Sequence, residues 1–209
     1  MIMKKSFCEF LLDYYPRDFE VEDFFSTNIA NCVFNGFLSY TAIMLNIITI
    51  HAIRKTLSLP KTLKTLLLSL AVSDVGVCLL LQPFYISLLI KWLQQNIPGC
   101  HTHKAFYCIG YLFSSASFLG VVAVSVERFL AIHLHLWYQE LVTHKRVVAV
   151  VISIWGLSVF ASFSMFWVPP DIFSLVTAII GIFGVLLTTM AYITIYLAVR
   201  RHKRDSSAL

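Results

Sequence analysis

Charge is what this sequence has least of. Asp, Glu, Lys and Arg make up 13% of its 209 residues, roughly half the share of a soluble domain. That scarcity excludes a disordered chain and a soluble globular enzyme of this length. Eight glycines and six prolines are too few for a collagen-like fibre. The five cysteines, Cys8, Cys32, Cys78, Cys100 and Cys108, are odd in number and show no CxxC spacing, which argues against a disulfide scaffold and a zinc site. No Asn-x-Ser/Thr sequon is present. Lys4 and Lys5 look like the start of a secretory leader, but Glu9 and Asp13 interrupt the apolar stretch that would have to follow. The first true span is then expected to act as the insertion signal. No basic stripe lies on a soluble face, so nucleic acid is not an expected partner.

What the chain has instead is apolar length. Its composition is 58% apolar, and its mean hydropathy is +0.79. Five runs reach the ~20 residues that a helix needs to cross hydrocarbon, at about 33–53, 65–90, 105–132, 147–168 and 172–199. They lack the alternation of barrel strands, and only helices satisfy their own backbone in lipid. The third and fifth exceed the hydrocarbon thickness, so tilt or protrusion past the headgroups is expected. The expectation is an all-α membrane protein: an acidic segment 1–32, one helical bundle 33–199, and a basic tail 200–209.

Orientation follows from the loops. One side gathers Arg54, Lys55, Lys61, Lys64, Arg128, Lys145, Arg146, Arg200, Arg201, Lys203 and Arg204. The other holds only Lys4, Lys5, Arg17, Lys91 and Lys104, offset by Glu9, Asp13, Asp18, Glu20, Glu22, Asp23 and Asp171. The positive-inside rule therefore predicts an outer amino terminus and an inner carboxyl terminus.

Polar residues inside the spans are few, and each needs a reason. Asp74 falls in the middle of the second span, where a charge costs about 3 kcal/mol on insertion scales. Asn46 and Ser117 lie at mid-span in the first and third. A carboxylate with amide and hydroxyl oxygens nearby suits a small hard cation or a proton relay; a neutral Asp74 acting as interhelical hydrogen-bond glue is the plainer reading. Glu127-Arg128 ends the third span, as an interfacial pair with a snorkelling arginine or as something more. Trp155 in the fourth span fits packing, and Tyr192 and Tyr196 fit an aromatic belt. His101 and His103, like His133 and His135, read as solvated loop histidines.

Together these residues resemble the rhodopsin-like (class A) family of G protein-coupled receptors, from about Gly36 to Arg204. Asn46 sits at the family's helix 1 asparagine. Leu70-Ala71-Val72-Ser73-Asp74, with Pro83 nine residues later, resembles the helix 2 motif, and Trp92 the first outer-loop tryptophan. Glu127-Arg128-Phe129 stands for the acidic-Arg-aromatic triplet, followed by Leu136-x-Tyr138; Trp155 and Tyr192 match the helix 4 tryptophan and helix 5 tyrosine. The motifs come in the family's order, each in its proper span.

The resemblance implies five helices of a seven-helix bundle in the plasma membrane, signalling to a heterotrimeric G protein without covalent chemistry. It implies a sodium ion at Asp74 and Ser117 with Asn46 bonded nearby, and no other cofactor. Arg128, held by Glu127 at rest, would swing to Tyr192 and the G protein, while Leu136 and Tyr138 would face that partner. Trp155, Pro83 and Trp92 would be structural. Departures accompany it. The sequence ends at Leu209 after the fifth span, so a chain of this extent is expected not to signal alone; pairing with a full-length receptor, or retention in the endoplasmic reticulum, is the rival expectation, and a small ion or solute transporter a lesser one. Gly184 replaces the helix 5 proline, and His135 the inner-loop proline. The turn between spans 4 and 5 has no cysteine, so Cys100 has only Cys8 or Cys32 as an outer partner, or stays reduced. Gly110 stands where amine receptors keep an aspartate, so the ligand is not expected to be a biogenic amine. The short outer turn and missing proline look most like melanocortin receptors, in the wider melanocortin–adenosine–cannabinoid group. Phe84, His103 and Tyr107 replace the outer acids that would hold a melanocortin peptide.

Overall fold

The computed structural model describes residues 25–94, 96, 99–134 and 137–207. Every regular element among them is a helix, and five are long and apolar enough to cross a membrane. These are α1 (Phe25–Lys55), α2 (Lys61–Leu93), α3 (Cys100–His133), α4 (His144–Ser164) and α5 (Pro170–Ser207). A one-turn loop helix, Tyr138–Leu141, links α3 to α4. The acidic segment up to residue 24, with Cys8, lies outside the described residues, as do His135 and Leu136.

Most helices run past the apolar runs that betray them. Hydropathy marks the hydrocarbon, whereas backbone hydrogen bonds carry a helix on into the headgroup layer. Thus α1 begins at Phe25, eight residues ahead of the expected start, and α5 continues to Ser207 through the segment expected to be a tail. The fourth helix does the reverse and stops at Ser164, short of the expected 168. There the chain tightens, with Phe166 N–H donating to Phe163 O at 3.1 Å and Trp167 N–H to Ser164 O at 3.1 Å. Pro169 and Pro170 follow: the residue before a proline avoids the α region, and proline brings no N–H to extend the ladder. Met165-Phe166-Trp167-Val168 is apolar enough to hide that stop.

Pro83 also leaves its mark. It has no N–H to give the carbonyl four residues back, and the turn just before it, Val77–Leu81, widens into a π-helix. Ser39 on α1 donates its hydroxyl to the Cys78 carbonyl in that turn at 2.8 Å. A neighbouring hydroxyl thus satisfies backbone that the proline disturbs.

The packing is that of a bundle meant for lipid. The most deeply buried side chains are serines, Ser73, Ser125, Ser158 and Ser162, while Phe34, Ile152, Phe160, Phe183 and Met190 point outward. Small residues let backbones approach, and lipid takes the large apolar ones. The buried hydroxyls are satisfied at home or across a contact: Ser158 donates to Ile154 O at 2.8 Å, and Ser162 donates to Cys108 O at 2.7 Å. Central α3 packs against α2, α4 and α5, and α1 packs against α2.

Candidate functional site

The last turns of α3 hold the charged cluster. Glu127 is 4% exposed, the most deeply buried acid among the described residues, and Arg128 is 35% exposed. Arg128 grips its neighbour with two prongs: Nε donates to Oε2 at 2.5 Å, and Nη2 to Oε1 at 2.7 Å. Charge-assisted forks of this kind are the strong ones, and a buried carboxylate needs one. Tyr138, from the loop helix, donates its hydroxyl to the same Oε1. Its own oxygen then accepts from Thr62 Oγ at the start of α2, 3.4 Å away. Burial, and next the bond to Glu127, push the Tyr138 phenol above its ordinary pKa range, so it stays a donor at neutral pH.

Halfway along the bundle, Ser117 of α3 donates to Asp74 Oδ1 of α2 at 2.5 Å. Asn46 does not join them through a hydrogen bond. Its Nδ2 donates to Ala42 O of its own helix at 2.9 Å, the bond nearest to hand for an asparagine inside a helix. Nearby, Trp155 of α4 donates its indole N–H to Ser69 Oγ of α2 at 3.1 Å and meets Phe113 of α3 edge-on, 6.1 Å between centroids. Phe113 in turn lies over Gly76, where an added Cβ would fall 2.3 Å from the ring. Gly184 plays the same part for Phe118, again at 2.3 Å.

The other end of α3 is aromatic, and the cavity there has no charged lining residue. A cavity of about 250 Å³ is lined by Leu81, Phe106, Tyr107, Gly110, Tyr111 and Ser114. Phe106 lies edge-on to Phe84 at 5.7 Å and stacks on Tyr85 at 6.2 Å, while Tyr111 meets Phe173 of α5 edge-on at 4.8 Å. Tyr85 accepts from Asn31 of α1 at 3.0 Å.

The remaining expected residues divide. Cys100 is disulfide-bonded, while Cys32 is a free thiol, which removes it as the partner. Tyr192 is 54% exposed on α5, and no described residue bonds its hydroxyl, so it stands apart from Arg128. Pro83 acts through the π turn, and Trp92 closes α2. Sequence reasoning passed over Thr62 and Ser69. A tryptophan inside a span needs an acceptor, and Ser69, a hydroxyl inside the second span, was a legible candidate.

Apolar helices that bury serine, expose leucine and phenylalanine, and keep most of their charge near helix ends define a multi-pass membrane protein. A model of the family described as 7 transmembrane receptor (rhodopsin family) matches residues 45–170. The chain belongs to that family. Among its relatives, adenosine receptor A2b of Gallus gallus is 33% identical over 113 residues, 54% of this chain and 32% of that receptor. Adenosine receptor A2a of Canis lupus familiaris is 26% identical over 121 residues, covering 58% and 28%. The D(2) dopamine receptor A of Xenopus laevis is 24% identical over 182 residues, covering 80% and 40%. The chain thus spans well under half the length of each.

Proposed function

We propose that this chain supplies five of the seven spans of a plasma-membrane receptor that passes an extracellular signal to a heterotrimeric G protein, with its amino terminus outside and the Arg128 end inside. The observation that carries the reading is the Glu127–Arg128 fork, closed by Tyr138. A buried ion pair on a helix end is a two-state element: it stores a cation that a change in helix packing releases. Released, the Arg128 guanidinium would reach Tyr192 on α5 and the carbonyl-rich end of a partner helix; Leu136 and Tyr138 would flank that contact. The gathering of basic residues at this end supports the orientation. The work is conformational, with no covalent step.

The aromatic cavity is the proposed ligand end. None of its six lining residues is an acid, and Gly110 offers an ammonium no counter-ion, which argues for a neutral ligand with an apolar face over a biogenic amine. At mid-bundle, Asp74 and Ser117 place a carboxylate and a hydroxyl oxygen 2.5 Å apart, the hard-oxygen chemistry that sodium takes. These two residues would hold the ion, which would add a positive charge that favours one packing of α2 on α3. Water would complete the shell, since Asn46 is turned to its own helix.

The test is guanine-nucleotide exchange on a purified G protein, in membranes holding either this chain alone or the chain continued into two further spans. Exchange is expected only in the second case, raised without ligand by Glu127→Gln and lost with Arg128→Leu. Full exchange by the five-span chain, or a continued chain indifferent to Arg128→Leu, overturns the proposal.

A further inference from the structure

A second cavity opens beside the charged cluster, on the flank of the bundle. It holds about 360 Å³, within the range of small-molecule sites. Its floor is aliphatic and closed: Leu66 is 3% exposed and Val147 6%. Its rim faces outward, with Val150 45% exposed on α4 and Leu141 47% exposed on the loop helix. Two charged residues border it, Glu127 and Arg146. Glu127 is spoken for by Arg128 and Tyr138. Arg146 uses Nη1 on the carbonyls of Glu140 and Leu141, at 3.2 and 2.9 Å, while Nη2 and Nε donate to no described residue. Lys145 is exposed beside it. The site is thus an apolar slot with a cation at its lip, beside the first turns of α4.

We propose that this slot seats one acyl chain of an anionic phospholipid, with the headgroup phosphate on Arg146 and Lys145. Shape and charge agree on that occupant. The exposed rim residues Val150 and Leu141 are themselves aliphatic, and an aliphatic lining rewards a chain over a polar solute. A phosphate at the lip meets the unengaged guanidinium nitrogens, a match that a zwitterionic headgroup dilutes. The lipid also acts on the cluster next door. Leu141 and Val142 form the wall on the loop-helix side, and that helix carries Tyr138 to Glu127. A chain in the slot props the loop helix against α3 and keeps the fork closed. The inference goes beyond the receptor reading and needs only that the chain spans a membrane, so it stands or falls apart from G protein exchange.

The experiment places the protein in vesicles that carry a phospholipid probe with a photoreactive diazirine at the end of one acyl chain, as phosphatidylglycerol or phosphatidylcholine, and maps the labelled peptides. Labelling of residues 123–130 and 147–150 should favour phosphatidylglycerol by about fivefold, the worth of one arginine beside an anionic headgroup. Arg146→Gln should reduce that labelling to the phosphatidylcholine level, and Lys145→Gln, at a side chain that bonds no described residue of the loop helix, should reduce the preference in part. Ala123→Phe, which fills the slot, should remove it for both lipids while lipid-facing α5 stays labelled. Equal labelling by the two lipids in the wild type, no effect of Arg146→Gln, or displacement by excess free oleate but not by unlabelled phosphatidylglycerol overturns the proposal.

Discussion

The two ends of α3 carry polar atoms inside an apolar bundle in opposite ways. At the Glu127 end, a buried carboxylate is matched by a two-pronged guanidinium and a phenol, and Thr62 completes the chain of donors. At the Phe106 end the described contacts are of another kind: rings meet edge-on or stacked, a neutral amide serves Tyr85, and a cavity remains. Opposite charges in low dielectric hold one arrangement firmly and lose most of it once separated, which suits a switch. Rings and neutral hydrogen bonds hold a shape that yields by degrees, which suits a site that must admit a ligand.

The strongest way to break that contrast is Arg128→Leu. It leaves Glu127 buried with Tyr138 as its one remaining donor, and losing one partner of a buried pair costs about 3 kcal/mol. Thermal unfolding in lipid nanodiscs should show that loss in full. Glu127→Gln should cost less, because Arg128, 35% exposed, can turn to water. Equal effects from the two would mean that the fork is an ordinary surface pair.

Next comes the middle of the bundle, where a glycine decides how close two helices sit. Gly76→Ala puts a methyl group 2.3 Å from the Phe113 ring, and Phe113 is hemmed in by Trp155, whose indole is tied to Ser69. Overpacking of this kind costs about 2 kcal/mol. Gly184→Ala meets Phe118 at the same distance, but at the far end of the ring, which can swing; about 1 kcal/mol is expected there. Replacing Phe113 by Leu in the Gly76→Ala background should restore most of the loss. A failed rescue would place the strain elsewhere.

Much of this was legible from residue order alone. Five helices, their sequence along the chain and the Glu127-Arg128 pair follow from hydropathy and motif, because the bilayer allows few solutions. Helix ends were less legible: hydropathy did not distinguish helical 25–32 from an outer segment, nor the turn at 165–168 from helix. Partner choice was least legible. Asn46 had an equally good acceptor on its own helix at Ala42, and no local pattern marked Cys32 as the free thiol. Thr62 became part of the cluster only because a turn brings the start of α2 beneath the loop helix, a relation no local pattern records.

Tyr138→Phe sharpens the same comparison more gently. It removes one donor to a charged acceptor and leaves the fork, so a loss of about 1.5 kcal/mol is expected. The pH dependence has a definite sign. Because burial and Glu127 raise the phenol's pKa, the folded state holds that proton more tightly; the contribution is complete below the ordinary value of 10.0 and fades as pH climbs through the raised one. Across the neutral range the wild type and Tyr138→Phe should differ by a constant amount. A difference that varied between mildly acidic and neutral pH would assign the effect to another group.

The smallest expected effect is at Trp155. Its indole N–H donates to Ser69 Oγ at 3.1 Å across the α2–α4 contact, with both atoms away from the ends of the bundle. In water a buried donor left alone costs about 1 kcal/mol or more. In a membrane the separated helices find other partners, and measured couplings average about 0.6 kcal/mol. Trp155→Phe keeps the edge contact with Phe113 and removes only the donor; Ser69→Ala removes only the acceptor. The double-mutant cycle should therefore return a coupling near the membrane average. A value several times larger would mean that this bond, and not the fork alone, holds the bundle in one packing, and the division between a charged switch end and a neutral remainder would have to be redrawn. A value of zero would leave Trp155 as a ring that packs between α2 and α3, with its indole nitrogen incidental.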